Sequence, residues 1–454
     1  MMLSRRSLLY AGATIGGGTL AGRWPLGSAW AASPESATHA PVSTAAAKGA
    51  TIGNLNALAA ILKTVPDQTW VKIPNTEMKS LYPSDALLSP PGVPSARGAT
   101  GPASVWIAWN GAAYDPAKHR MYFWGGGHTD YGGNEVYCFD LELLQATRLT
   151  DPSPLGPPVP GQCCASASQP RDGTPSPWHT YGAFTWCPLT RSIWIPSQGD
   201  FCARGNPDQN CTHINSHTMW EFKPDRNPKW RNAGLFPWPP ANERGYGGYL
   251  EMVWVDALEK FYLWGSGLGI FFDPVKNAYS DWSSLGPAAG GGVPAYDAAR
   301  KIVYLEAYGF LLSVDVAVTG PGAPGSDETG KPLRSAGYAP RNVQQIFSNS
   351  PTDHPPGLAF DAGMAWDPIN KMLIFNSGDA TILAFDPATK TWRRLPNEGQ
   401  QDAPRFKHSV LTKLKYVPEI KCLSAYYDGE DGLRCYKPGD LASAPKLELG
   451  AARK

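Results

Sequence analysis

"MAWDPINKMLIFN", residues 364–376, holds two apolar runs of strand length separated by Asp-Pro, a short polar stretch and a lysine. Apolar runs with turn chemistry between them read as a β-hairpin. The pattern returns five more times. It appears as "AAYDPAKHRMYFW" at 112–124, "AFTWCPLTRSIWI" at 183–195, "MVWVDALEKFYLW" at 252–264 and "PAYDAARKIVYLE" at 294–306. A last copy, "LKYVPEIKCLSAY" at 414–426, keeps only the pattern. One hairpin recurring at unequal spacing marks a repeat architecture.

Each copy is followed by a loop and a third strand that runs into a turn: "VYCFDLE", "MWEFKPD", "GIFFDPV", "FLLSVDV", "ILAFDPA" and "LRCYKPG". A fourth strand carries a tryptophan at Trp230, Trp282 and Trp392. The unit is a four-stranded antiparallel meander, and meanders repeated radially build a propeller that protects most sheet edges. The sixth copy runs out at "CYKPGD" without a fourth strand, whereas "TWVKIPN" at 69–75 has no blade yet matches "TWRRLPN" at 391–397. The N-terminal strand is therefore expected to complete the last blade, preceded by a helix over 53–64. The expected fold is all-β: a single β-propeller of six four-stranded blades spanning 51–445, or seven if 318–350 holds a degenerate one.

Composition agrees with many short strands. The 454 residues include 48 Gly, 44 Pro and 17 Trp, and only 17% are charged. A net charge of +1 gives no electrostatic case for nucleic acid or an anionic membrane as partner. At the N-terminus, Ser4-Arg5-Arg6-Ser7-Leu8-Leu9 resembles the twin-arginine export motif. It precedes a Gly-rich apolar stretch too short to span a bilayer, and Ala29-Trp30-Ala31 offers a cleavage site. The reading is a signal peptide over 1–31, a spacer over 32–50, and a periplasmic or secreted mature protein with no membrane span.

Export places the eight cysteines where disulfides persist. Cys163, Cys164, Cys202 and Cys211 fall in two long loops and could pair, while Cys422 and Cys435 fall on neighbouring strands; connectivity is not fixed by sequence. Cys202, Cys211, His213 and His217 also have ligand types that suit zinc. "DGEDG" at 428–432 has oxygens for calcium, although such a turn is ordinarily just solvated. No cofactor is required by the chemistry considered below.

In a four-stranded meander, the loop between strands two and three emerges at the same end as the segment leading into the next blade. Six of the eight histidines fall in such segments: His128, His179, His213, His217, His354 and His408. Tyr181, Arg244, Tyr246, Arg405 and Lys407 accompany them. His128 sits in "GGGHTDYGGN", where glycines let the backbone approach closely. This supply suits β-elimination on a uronic-acid polysaccharide. A base takes the C5 proton, an acid protonates the leaving oxygen, and an arginine neutralises the carboxylate. His128 and His179 are the candidates for proton transfer, Tyr246 for assistance and Arg244 for neutralisation. Tyr181, Arg405, Lys407, His408, Trp178 and Asp130 are candidates for holding substrate, and Trp106, Trp178 and Trp238 for stacking on sugars.

The "FDPATKTWRRL" pattern resembles the kelch repeat over roughly 69–440 by repeat-period reasoning. The order and placement of His128, His179, Arg244 and Tyr246 resemble the propeller-fold polysaccharide lyases, notably the ulvan lyases. That resemblance implies a His/Tyr proton-transfer pair with an arginine neutraliser in the propeller mouth, beside a structural metal in many members. Two other activities are compared with these residues. Copper-radical oxidation of the galactose oxidase type needs a Tyr-His pair, and no Tyr-His dipeptide occurs. Glycoside hydrolysis needs two carboxylates, for which Asp130, Glu135, Asp200, Glu251 and Asp379 are near the mouth. A non-catalytic module binding glycan or protein is the remaining alternative.

Overall fold

A left-handed residue stands just before the second strand of every blade: His119, Arg191, Glu259, Lys301, Lys371 and Lys421, all with φ between 49° and 58°. These are the residues that follow the polar turn in each repeat. The aspartates that open several of these turns explain the geometry. The Oδ1 atoms of Asp115, Asp297 and Asp367 accept the backbone N–H two residues on, at 2.9, 3.1 and 2.9 Å. An Asx turn followed by a residue in the left-handed region reverses the chain with the twist a hairpin needs. The turn from strand three to strand four repeats the device at Asp140, Asp273 and Asp386.

The computed structural model describes residues 55–449. It leaves out 128, 157–169, 198–217, 226, 238–249, 266–267, 281–282, 285–291, 308–309, 319–342, 349, 351–352, 356–357, 359–360, 396–400 and 406–409. The proposed signal peptide and spacer lie outside the described residues, as does Trp282. An eight-residue helix, Asn56–Lys63, buries Leu58 and Leu62 and falls within the expected 53–64.

Six antiparallel sheets are formed, five of them meanders in chain order. Their first strands are Ala112–Asp115, Thr185–Cys187, Glu251–Val255, Gly292–Asp297, Gly363–Asp367 and Leu414–Val417, numbered here as blades 1 to 6. Blade 3 carries an additional two-residue strand, Ser283–Ser284, on its third strand. The segment that could have hidden a seventh blade supplies instead the fourth strand of blade 4, Val343–Phe347.

Closure is as the unequal strand count demanded. Thr69–Lys72 pairs antiparallel with Arg434–Lys437, so that Trp70 faces Tyr436 and Lys72 faces Arg434. The first described strand of the chain is thus the outer strand of the last blade. The C-terminal tail adds a second clasp. Leu447 N–H donates to the Trp392 carbonyl at 2.9 Å, covering the outer edge of blade 5.

The cores lie between neighbouring blades. Trp106, Phe123, Tyr137 and Tyr426 fill the seam between blades 6 and 1, and Trp124, Trp194, Phe261 and Phe272 the seams across blades 1 to 3. Two expectations are corrected here. Trp106 offers no surface for sugar: it is fully buried and stacks on Tyr82 at 5.5 Å. Cys422 and Cys435 lie on neighbouring strands but are free, as are Cys138 and Cys187. The register explains it, because Cys435 faces Ser424 directly and Cys422 lies on the diagonal. Burial pushes the Cys422 thiol well above its ordinary range. Cys163, Cys164, Cys202 and Cys211 lie outside the described residues.

Candidate functional site

The glycine-rich loop of blade 1 and the segment leading into blade 2 meet at the same end of the propeller, as meander geometry requires. Gly126 N–H donates to the Trp178 carbonyl at 3.3 Å, which fastens the loop to the next blade. One residue on, Gly127 adopts φ +101°, and a Cβ there would collide with Nε2 of His179. Only glycine lets the backbone lie against the imidazole so closely.

His179 is 5% exposed, and its Nε2 stands 3.3 Å from Oδ2 of Asp130. Asp130 is itself held in place. Its carbonyl accepts N–H groups from Thr100 and Gly101 at 2.9 and 3.0 Å, and its Oδ1 accepts the Thr100 hydroxyl at 3.2 Å. A carboxylate on one ring nitrogen fixes the tautomer and orientation of an imidazole. Sequence reading assigned Asp130 to substrate; in the structure its oxygen is the partner of His179.

Two aromatic rings flank the histidine. Trp109 meets it at 5.2 Å between ring centroids and Tyr181 at 5.8 Å, both edge-on. Trp109 and Tyr181 each have positive φ, +36° and +47°, and Tyr181 N–H donates to the Trp109 carbonyl at 2.9 Å. Asn110 completes the stitch: its Oδ1 accepts Thr180 N–H at 2.9 Å, and its Nδ2 donates to the Ser104 carbonyl at 2.8 Å. Unlike the left-handed residues of the hairpin turns, Trp109 and Tyr181 are held in that region by hydrogen bonds between separate segments of the chain. Trp109 is 40% exposed, so an indole stands open to solvent beside the His–Asp pair.

Sequence reading missed Trp109 and Asn110. Their signal was "WNG" directly before the first strand of blade 1, a position equivalent to the segment that carries His179.

Trp178 is corrected in the opposite sense. It is 1% exposed and packs edge-on against Trp124 at 4.8 Å, so it supports the site through its carbonyl and not through its ring. Arg405 is exposed on the way into blade 6. His128, Arg244, Tyr246, Trp238, Lys407 and His408 lie outside the described residues, as do Asp200, Cys202, Cys211, His213 and His217. Among the described residues no group of three or more His, Cys, Asp or Glu is placed to hold a metal ion. The acidic turn at 428–432 has cationic neighbours of its own. Arg434 makes two bonds to Asp431 at 2.7 and 2.8 Å, and Lys79 pairs with Glu430 at 3.1 Å.

Two other carboxylates near this end, Glu135 and Glu251, are enclosed, whereas Asp379 is half-buried. Glu135 accepts hydroxyls from Tyr131 and Tyr137 at 2.7 and 2.8 Å, and burial raises its pKa against those bonds. Glu251 is buried and accepts Gly292 N–H at 3.2 Å; burial raises its pKa well above the carboxylate range. A buried lysine belongs to the same layer. Lys413 Nζ donates to the Trp106 carbonyl at 2.5 Å, and desolvation lowers its pKa to about 7.

Fold and site define a six-bladed β-propeller with a rigid histidine–aspartate pair at its loop face. No protein-family profile matches the chain, the kelch repeat and the polysaccharide lyases included. No curated protein matches it either. Among solved structures it is similar to an auxiliary nutrient binding protein from Bacteroides thetaiotaomicron. The two are 10% identical with a TM-score of 0.40, over 73% of this chain and 69% of that one. No helix among the described residues is long and apolar enough to cross a membrane.

Proposed function

We propose that the loop face of this propeller is the active site of an exported lyase that cleaves a uronic-acid polysaccharide by β-elimination. His179 transfers a proton, oriented by its contact with Asp130. The C5–H proton passes to a base, the C4–O bond breaks as the C4=C5 double bond forms, and the departing oxygen takes a proton from an acid. His128 is the second proton-transfer group and Tyr246 assists. Arg244 pairs with the uronate carboxylate, lowering the cost of the negative charge that develops beside it. Tyr181, Arg405, Lys407 and His408 hold neighbouring sugars, and the open indole of Trp109 offers a stacking surface.

The observation that carries this reading is the contact between His179 and Asp130, pressed on by Gly127. The aspartate is itself fastened, two N–H groups meeting its carbonyl and the Thr100 hydroxyl its carboxylate. The test is incubation of purified protein with alginate, polygalacturonate, ulvan and a glycosaminoglycan, following the ultraviolet absorbance of the unsaturated uronate. A rise abolished in His179→Ala and Arg244→Ala supports the lyase. New reducing ends without that absorbance transfer the site to hydrolysis. The exposure of Trp109 favours one further reading, a glycan-binding module, which binding without turnover would establish.

A further inference from the structure

A cavity of about 330 Å³ runs along the first strands of all six blades, down to Pro116 and Pro188 in the turns opposite the histidine face. One aromatic residue from the first strand of each blade lines it, Tyr114, Trp186, Trp254, Tyr296, Trp366 and Tyr416, and Phe184 joins them from the segment before blade 2. Each of the six strand residues lies five residues before the left-handed residue of its turn, so the sixfold repeat generates an aromatic collar. Trp186 stacks on Tyr122 of blade 1 and Trp366 on Tyr304 of blade 4, each pair at 5.8 Å, so the collar is braced against the preceding blades.

The preceding position breaks the symmetry. Five blades place a small residue there, Ala113, Thr185, Val253, Ala295 and Ala365, whereas blade 6 places Lys415. Lys415 is the only cation among the described residues that line the cavity. No ion pair or hydrogen bond of its ammonium is found among the described residues. The side chain is half-buried by exposed area, yet deep enough that desolvation lowers its pKa to about 8, which leaves it mostly charged at neutral pH. The one carboxylate among the described lining residues, Asp256, accepts the indole N–H of Trp254 at 2.5 Å and so belongs to the wall. An unpaired charge in an apolar channel is costly unless something of opposite charge meets it.

We infer that this channel binds a small organic anion, a monocarboxylate with a planar or apolar body, whose charge pairs with Lys415 while its body lies within the aromatic collar. The volume is at the lower end of small-molecule sites, and a mainly apolar lining with a few placed polar groups is their usual chemistry. Lys415 belongs to the first strand of blade 6, outside the loop and segment that carry Asp130 and His179, and the binding inferred here does not depend on the reaction proposed there.

Benzoate is the probe, with benzamide as its neutral counterpart, titrated by calorimetry into the intact protein. The expected result is saturable binding of benzoate, with benzamide weaker by at least about tenfold, the cost of losing a charge-assisted contact. Lys415→Met should lose the preference for the anion and Lys415→Arg should keep it. Ala295→Leu, which retains the lysine but fills the cavity, should abolish binding of both. Equal affinity for benzoate and benzamide, no binding of either, or benzoate binding undiminished in Lys415→Met would each overturn the inference. The wild-type comparison decides the matter even if a variant fails to fold, and none of these readouts depends on lyase activity.

Discussion

Oδ2 of Asp130 stands 3.3 Å from Nε2 of His179, although 49 residues and a blade boundary separate them. The aspartate comes from the loop between the second and third strands of blade 1, the histidine from the segment that opens blade 2. If this pair transfers a proton, Asp130→Asn should reduce turnover about a hundredfold with little change in KM, because the imidazole loses its oriented tautomer. Initial rates across a pH series would check it. A loss confined to KM would instead make Asp130 a substrate contact.

Gly127 tests how closely the loop must approach. With φ +101° and His179 directly against it, Gly127→Ala should cost about 1–3 kcal/mol of stability from backbone strain alone. Activity should fall further than stability, since the methyl group displaces the imidazole. Chemical denaturation of the variant, set beside its turnover, separates the two effects.

Ring closure predicts where the fold is most vulnerable. Trp70 is 2% exposed, packs on Tyr436 at 5.1 Å and donates its indole N–H to the Ala380 carbonyl at 3.3 Å. Trp70→Ala should destabilise by about 3–5 kcal/mol, the cost of an aromatic cavity. Hydrogen exchange should report the loss first at Arg434–Lys437, whose ladder partner is the strand that carries Trp70.

Lys413 gives a signed pH dependence. Its folded pKa, about 7, lies below the ordinary lysine value, so between the two the unfolded chain binds the proton more tightly. Stability attributable to this group is therefore lowest below pH 7 and rises as pH climbs from 7 towards 10. Relative to Lys413→Met, the wild-type protein should gain stability over that window. Denaturation midpoints of both proteins at pH 6, 8 and 9.5 would show it, and parallel curves would refute it.

Much of this architecture is legible in the chain because propeller blades are local structures. A strand, an Asx turn with a left-handed residue, and a second strand are specified within thirteen residues, as in 112–124, and each copy repeats the specification. Even the closure could be read, since a fourth strand without a blade and a blade without a fourth strand have one economical solution. Trp106 and Trp178 were misread as open surfaces because a tryptophan in a loop segment looks the same whether it faces solvent or a seam. What decides the matter is the neighbouring blade, which the local sequence does not contain.

The order of residues determined the six repeated hairpins and the turns that join their strands, because each follows from hydrogen bonds and apolar periodicity within one repeat, while it left the blade number at six or seven. Only the closed ring decided that Asp130 serves His179, that Trp109 stands open beside it, and that six aromatic residues and Lys415 share one channel. Those relationships join residues from different blades, and distance between blades is set by how whole sheets pack around an axis.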